Sequence, residues 1–326
     1  MQQMSQVERQ HQQVFVDSLS NQLSILAPRL KVRLGPEGLH LFNRMTGINI
    51  LVDEIVVPDC KWSTAPRHVS IAITNACDLA CAHCYAPKKT AMLSLDRLTS
   101  WLAELDANGC IGVGFGGGEP TLYPQLKELC SFAARRTNLA ISMTTHAHRL
   151  SEHLLKELAG NVHFVRVSMD GVGLTYEAIR CRPFDVLLDR IAALRRITCF
   201  GINFVINSKT IGDLDTAVKL AEDLGASEFL LLPEERVGRG VGIDKETTVA
   251  LQKWVNSYRG ALPLAVSEGG AEGLPTCNPF AAETGLTAYA HIDATGVIKQ
   301  TSFESCGVLI RETGVLAAFD ELKAMK

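Results

Sequence analysis

Between residues 68 and 240 the chain alternates short β-branched apolar runs with stretches whose apolar residues recur every three to four positions. The runs HVSIAIT (68–74), IGVGF (111–115), LAISM (139–143), HFVRVS (163–168), INFVIN (202–207) and EFLLL (228–232) have the length and residue types of buried strands. Helices are predicted between them, near 95–107, 123–136, 150–159, 184–198 and 212–224. In the first of these, Leu98, Leu102 and Leu105 mark one buried face. Strands alternating with helices build a parallel sheet through right-handed crossovers, an α/β architecture. Periodicity leaves open whether that sheet stays flat or curls into a partial barrel. Either way the chemistry gathers beyond the C-terminal ends of the strands.

This core, residues 68–240, is flanked by two less regular regions. Residues 1–67 read as an extension: a Gln-rich helix candidate around 5–25, then strand-like KVRL (31–34) and LHLF (39–42) about the turn Gly35-Pro36-Glu37-Gly38, then INILV (48–52). Residues 241–326 read as a small α+β subdomain, with a helix over Lys245–Tyr258, a Gly-rich loop, a hairpin over 288–300 and a last helix near 315–325.

Charge is close to balanced, with 32 basic and 35 acidic residues and no basic cluster of the kind that binds nucleic acid. No apolar run approaches the ~18 residues needed to span a bilayer, and the first forty residues lack the basic-then-apolar layout of a signal peptide. A soluble cytoplasmic protein is expected. Of the ten cysteines, three crowd into eight positions. In a cytosolic chain such crowding points to metal ligation, and the scattered cysteines to small buried hydrophobes.

The crowded cysteines follow the first core strand, in Thr74-Asn75-Ala76-Cys77-Asp78-Leu79-Ala80-Cys81-Ala82-His83-Cys84-Tyr85. Cys77, Cys81 and Cys84 can hold three irons of a cubane [4Fe–4S] cluster and leave the fourth without a protein ligand. A structural zinc site would need four ligands, usually in two pairs on separate segments, and an electron-carrying ferredoxin would need a fourth cysteine nearby. The C-x3-C-x2-C loop after the first strand resembles the radical S-adenosylmethionine (SAM) superfamily, with His83 in the position its members fill with an aromatic residue. The resemblance implies a partial (β/α)6 barrel. It implies SAM chelating the open iron and, after one-electron reduction by an external low-potential donor of the flavodoxin or ferredoxin type, giving a 5′-deoxyadenosyl radical that abstracts hydrogen from substrate.

Further landmarks follow in the family's order. Gly116-Gly117-Gly118-Glu119-Pro120 is by itself a tight turn through which backbone can approach a ligand; it matches the family motif that contacts the methionine amino group. Ser168 and Asp170, read locally, can cap the next helix. The resemblance places them, and Asn207 after the fifth strand, near the SAM ribose. Pro233–Gly240 forms a basic turn at the same edge, open to SAM, substrate or solvent. His146 stands where relatives carry Asn, and it and His148 face either the cavity or solvent.

The C-terminal region resembles SPASM and twitch subdomains, in which a cysteine and a hairpin ending in Gly-x4-Cys bind auxiliary clusters. Cys277 and the hairpin Ile292–Thr301 keep that layout, but Thr301 stands where the cysteine is expected, and only Cys306 follows. The subdomain is expected to keep its shape and lack its cluster. Cys277, Cys306 and also Cys181 then become candidate hydrogen-atom donors, or plain packing residues. The N-terminal hairpin is reminiscent of the small sheets with which peptide-modifying relatives hold a precursor, or of a lid over the open side of the barrel. The expected activity is modification of a ribosomally made peptide by cross-linking or epimerisation. A small-molecule substrate such as an aminoglycoside-like sugar is the alternative, and an iron–sulfur sensor without turnover the non-enzymatic one.

Overall fold

A computed structural model describes residues 30–325; the helix expected over 5–25 lies outside the described residues. Six parallel strands stand side by side in chain order: β4 (His68–Thr74), β5 (Gly112–Gly117), β6 (Ala140–Thr145), β7 (Phe164–Ser168), β8 (Cys199–Ile206) and β9 (Phe229–Pro233). Each matches a run read from the sequence to within a few residues. Helices α1 (Leu95–Ala107), α2 (Leu126–Arg136), α3 (Glu152–Leu158), α4 (Leu174–Arg180), α5 (Phe184–Leu194) and α6 (Leu214–Leu224) connect them. The result is a partial (β/α)6 barrel.

Alternation decides what each strand presents. In β4, Val69, Ile71 and Ile73 are fully buried with Leu98, Leu102 and Leu105 of α1, whereas His68 and Ser70 occupy the other face. Each such leucine contributes about 1.5–3 kcal/mol by burial. Ser94 starts α1, its side chain accepting the Arg97 N–H. Helix α4 was not foreseen, because at seven residues it is too short to show a period. Its sequence context is Gly171 and Gly173, both with positive φ.

Strands from beyond residue 240 extend the core sheet at both edges. The hairpin over 288–300 forms β11 (Tyr289–Ile292) and β12 (Val297–Lys299), but β11 pairs in parallel with β4 and so extends the main sheet. Strand β13 (Val308–Leu309) follows β12, and β10 (Leu264–Val266), too short to foresee, joins the opposite edge beside β9. One ten-stranded sheet results, in the order β10-β9-β8-β7-β6-β5-β4-β11-β12-β13. Helices α7 (Lys245–Ser257) and α8 (Val315–Ala324) complete this part.

Residues 30–52 form a separate antiparallel sheet, β1 (Leu30–Gly35), β2 (Gly38–Asn43) and β3 (Asn49–Val52). It is bolted to the N-terminal ends of the parallel strands. Arg33, 2% exposed, pairs with Glu283 at 3.0 Å and donates to the carbonyls of Ala65, Gly109 and Thr287. Lys31 reaches Asp106 at 2.5 Å, and Arg44 donates to the carbonyls of Ala134, Thr137 and Leu139. These anchors all precede barrel strands, so residues 30–52 lie at the end opposite the cysteine loop and form no lid over it. Among the described residues no helix is long and apolar enough to cross a membrane.

Candidate active site

The loop that leaves β4 is closed at its base. Asn75 donates its N–H to Ala91 O at 2.9 Å and its side chain to Lys89 O at 3.0 Å, while Thr74 Oγ1 accepts the Ala76 N–H at 3.0 Å. Within this loop Cys81 is buried and Cys77 and Cys84 are half-buried, and all three are free thiols. Burial pushes the Cys77 and Cys81 thiols above their ordinary pKa. Donors stand against all three sulfurs: the Leu79 N–H on Cys77 at 3.4 Å, Arg180 on Cys81 at 3.5 Å and Lys88 on Cys84 at 3.1 Å. Cationic and N–H donors favour the anionic form that ligates soft metals. As a donor set, three unpaired thiols on one loop fit an iron–sulfur cluster.

The glycine turn after β5 packs on the same loop. The Gly118 N–H donates to Thr74 O at 2.8 Å and the Glu119 N–H to Ala76 O at 2.7 Å. A Cβ on Gly117, whose φ is +119°, would sit 2.2 Å from Thr74 O, and one on Gly118 would sit 2.2 Å from Ala76 O. Those two glycines therefore serve backbone against backbone. Only Gly116 faces open space, with nothing within 4 Å of its notional Cβ. Glu119 is 1% exposed, and its carboxylate accepts from Thr121 N–H and Oγ1, from Thr145 Oγ1 at 2.7 Å and from the His146 N–H at 3.0 Å. It ties β5 to β6.

His146, buried, faces this cluster and not solvent. Its Nε2 lies 2.9 Å from Asp78 Oδ1 and 3.3 Å from Glu119 Oε2. Donor atoms of Cys77, Asp78 and His146 come within 4.8 Å of one another. His148 Nε2 meets Tyr176 Oη at 2.8 Å, and burial with the neighbouring His146 and arginines lowers its pKa to about 4.

Asp170 is fully buried beyond β7. Oδ1 accepts the Val205 N–H at 2.9 Å; Oδ2 pairs with Arg180 and lies 3.1 Å from His83 Nε2. Burial alone would raise this carboxyl, but Arg180 and His83 outweigh it and hold it far below the usual range. Asp170 thus links α4 to the cysteine loop and caps no helix. Ser168 is half-buried on the inward row of β7. Asn207 donates to Glu234 Oε2 at 2.8 Å, and Glu234 Oε1 accepts the Val241 N–H at 2.7 Å. Sequence reasoning missed Arg180, Thr145, Asp78 and Glu234 as members of this network. Arg180 lies next to Cys181 on a helix too short to read, so no signal in the chain marked it.

The three candidate donor cysteines are all exposed. Cys181 ends α4 in the left-handed region, beside Arg182, which lies 3.5 Å from Asp78. Cys306 follows Phe303, whose ring meets Tyr85 of the cysteine loop edge-on at 5.2 Å. Cys277 precedes Phe280, which stacks under Arg67 at 3.3 Å near the opposite end of the barrel. Deeper in, Ser70 Oγ lies 2.6 Å from both Tyr289 Oη and His291 Nδ1, which makes the seam between β4 and β11 polar.

Residues 71–221 match the Radical SAM superfamily. In sequence the chain is 28% identical over 191 residues to the PqqA peptide cyclase of Gluconobacter oxydans, covering 54% of this chain and 51% of that one. It is 27% identical over 190 residues to the AdoMet-dependent heme synthase of Methanosarcina barkeri, covering 55% and 53% respectively. The chain thus spans about half the length of these relatives. In fold it resembles Streptococcus suis SuiB bound to its precursor peptide SuiA, with a TM-score of 0.70 at 14% identity over 90% of this chain and 87% of that one. The family implies a [4Fe–4S] cluster and SAM.

Proposed function

We propose that this chain, an enzyme of the radical SAM superfamily through residues 71–221, modifies a residue of a ribosomally synthesised peptide by cross-linking or epimerisation. The observation that carries the reading is the three-thiol loop clamped by the glycine turn, with two cations against its sulfurs. Cys77, Cys81 and Cys84 hold one cluster, and Gly116 leaves the adjoining wall open for SAM. When bound, the cluster and SAM supply a carbon-centred radical able to take hydrogen from an unactivated C–H bond.

The chain's own residues position this centre. Arg180 and Lys88 offset the charge of the thiolates. Glu119 and His146 fix the glycine turn against the loop, and Asp170 orients His83 and Arg180. Ser168, inward-facing and half-buried, is the residue assigned to the SAM ribose, while Asn207 braces the next loop through Glu234. A flavodoxin- or ferredoxin-type protein supplies electrons from outside.

The peptide is favoured by similarity to a peptide cyclase and by the likeness in fold to an enzyme bound to its precursor peptide. The second reading, a small molecule with a cysteine hydrogen donor, is favoured by the similarity to a heme synthase and by the polar Ser70–Tyr289–His291 seam. Cys306 and Cys181 lie in segments tied to the cysteine-loop face and suit that role better than Cys277. Anaerobic reconstitution tests the core of the proposal: about four irons per chain are expected with Thr301 in place of an auxiliary ligand, together with 5′-deoxyadenosine formation that Cys77→Ala abolishes. Formation that survives Cys77→Ala overturns it.

A further inference from the structure

On the parallel strands the residues that face the helices are buried, whereas inward residues such as Ser70, Ser142, Ser168 and Asn203 are only half-buried. The barrel is therefore hollow, with a largely polar lining. Strand β11 supplies one wall of it, since Tyr289 and His291 lie in register with His68 and Ser70 of β4. Among the described residues of this inward row, two carry a phenol or a thiol, the side chains from which a carbon radical takes hydrogen most readily: Tyr289 and Cys199. Cys199 is exposed where β8 begins, at the end remote from the cysteine loop. Cys181, Cys277 and Cys306 are also exposed, and none of them belongs to a barrel strand.

Tyr289 is held by a relay. Its Oη lies 2.6 Å from Ser70 Oγ, which in turn lies 2.6 Å from His291 Nδ1. Burial outweighs the Ser70 hydrogen bond and pushes the phenol up to about 12, so it keeps its O–H at neutral pH. His291 is 8% exposed, and burial lowers it to about 4, so its ring is neutral. With the ring proton on Nδ1, His291 donates to Ser70 and Ser70 donates to the phenol oxygen. That orientation leaves the Tyr289 O–H free to point into the lumen. From Ser70 to Thr74, where the cysteine loop departs, is four residues, or about 13 Å of strand. A substrate carbon held in this space presents one face to the cysteine loop and the opposite face to Tyr289.

We infer that Tyr289 is the hydrogen-atom donor of this enzyme, returning hydrogen to the far face of a substrate carbon that has lost one on the cysteine-loop side. The inference rests on the reading above and selects its epimerisation branch. The Tyr289 O–H bond breaks and a C–H bond forms with inverted configuration, which leaves a phenoxyl radical on Tyr289. One electron from the external flavodoxin- or ferredoxin-type donor and one proton, relayed by His291 and Ser70, restore the phenol. The substrate is neither oxidised nor reduced overall, so no electron acceptor is required, in keeping with Thr301 in the place expected for an auxiliary-cluster cysteine. Ser70 and His291 are positioning residues, acting through the phenol.

The test places 3-aminotyrosine at position 289 of the reconstituted full chain, with the same replacement at Tyr258, which follows α7 outside the lumen, as control. The analogue keeps the phenol but yields hydrogen more readily, so it traps the radical. After anaerobic incubation with SAM and dithionite, an aminotyrosyl radical is expected by electron paramagnetic resonance from the 289 chain and not from the 258 chain. Ser70→Ala in the 289 chain should shift the g-anisotropy of that signal, because the phenoxyl oxygen loses a hydrogen bond; a role confined to zipping β4 to β11 predicts no radical to shift. Circular dichroism and iron content establish that each chain is folded and loaded. A silent 289 chain that still forms 5′-deoxyadenosine, equal signals from both chains, or g-values indifferent to Ser70→Ala overturns this inference alone. Absence of both cluster and 5′-deoxyadenosine in the wild-type chain overturns instead the reading on which it rests.

Discussion

His146 Nε2 lies 2.9 Å from Asp78 Oδ1, joining the loop after β6 directly to the loop that carries the three cysteines. The same nitrogen is 3.3 Å from the buried Glu119 carboxylate, so one imidazole fastens three loops. Burial would raise the Asp78 pKa, but the bond from His146 and the charge of Arg149 outweigh it and hold it below its ordinary value.

His146→Ala should therefore loosen the cysteine loop without unfolding the barrel. Glu119 would lose a buried partner, at a cost of about 1–3 kcal/mol. The measurement is iron retained per chain after anaerobic gel filtration, which should fall, with His146→Asn recovering part of it. Full retention in the alanine variant would show that the clamp is dispensable.

The glycine turn offers a paired contrast. Gly118→Ala drives a Cβ toward Ala76 O and should lower thermal stability, with the folded loop disturbed. Gly116→Ala meets open space and should leave the melting temperature within the scatter of surface changes, about 0.5 kcal/mol. It should nonetheless weaken SAM binding, measured by equilibrium dialysis on reconstituted protein. Equal effects from the two substitutions would refute the division of roles.

Asp170→Asn removes the charge that faces Arg180 and leaves a buried guanidinium uncompensated. A loss of about 3–5 kcal/mol is expected. Urea unfolding at neutral pH should report it. The Asp170 pKa is depressed in the folded state, so its contribution is complete above about pH 4 and declines only in stronger acid.

Histidines set a milder pH dependence. Burial lowers His68, His148, His163 and His291 to about 4 in the folded chain. Since the unfolded forms take up protons near pH 6.5, stability should be full above that value and fall as the pH drops toward 4. Each histidine contributes a slope of up to about 1.4 kcal/mol per pH unit. His291→Gln should flatten the slope of the urea midpoint between pH 6 and 4.5 by roughly one proton's share. An unchanged slope would mean that His291 titrates normally.

Arg33→Met tests the anchor of the N-terminal sheet. It leaves Glu283 with Arg67 as its remaining arginine partner and takes a donor from the carbonyls of Ala65, Gly109 and Thr287 at the base of the barrel. Limited proteolysis should then cut within residues 30–60 at protease levels that leave the parent chain intact, while the barrel persists.

Much of this protein was legible without coordinates. Strand and helix positions from 68 to 240 followed from apolar period, because a fully buried strand and a one-sided helix must each repeat their hydrophobic residues at a fixed spacing. The cysteine loop was legible for a related reason: its ligands lie within eight consecutive residues. What the sequence hid was every partnership between distant segments. Arg180 with Asp170 and Cys81, His146 with Asp78, and Arg33 with Glu283 join residues with no local signature, and only folding brings their charges together. The reason for the glycines was hidden too, since the atoms that exclude a Cβ at Gly117 and Gly118 belong to another loop. So was the placing of residues 289–309, whose strands pair into the barrel sheet because β4 offers a free edge. Local pattern fixes which elements form; burial and pairing across the chain decide which side chains share a site.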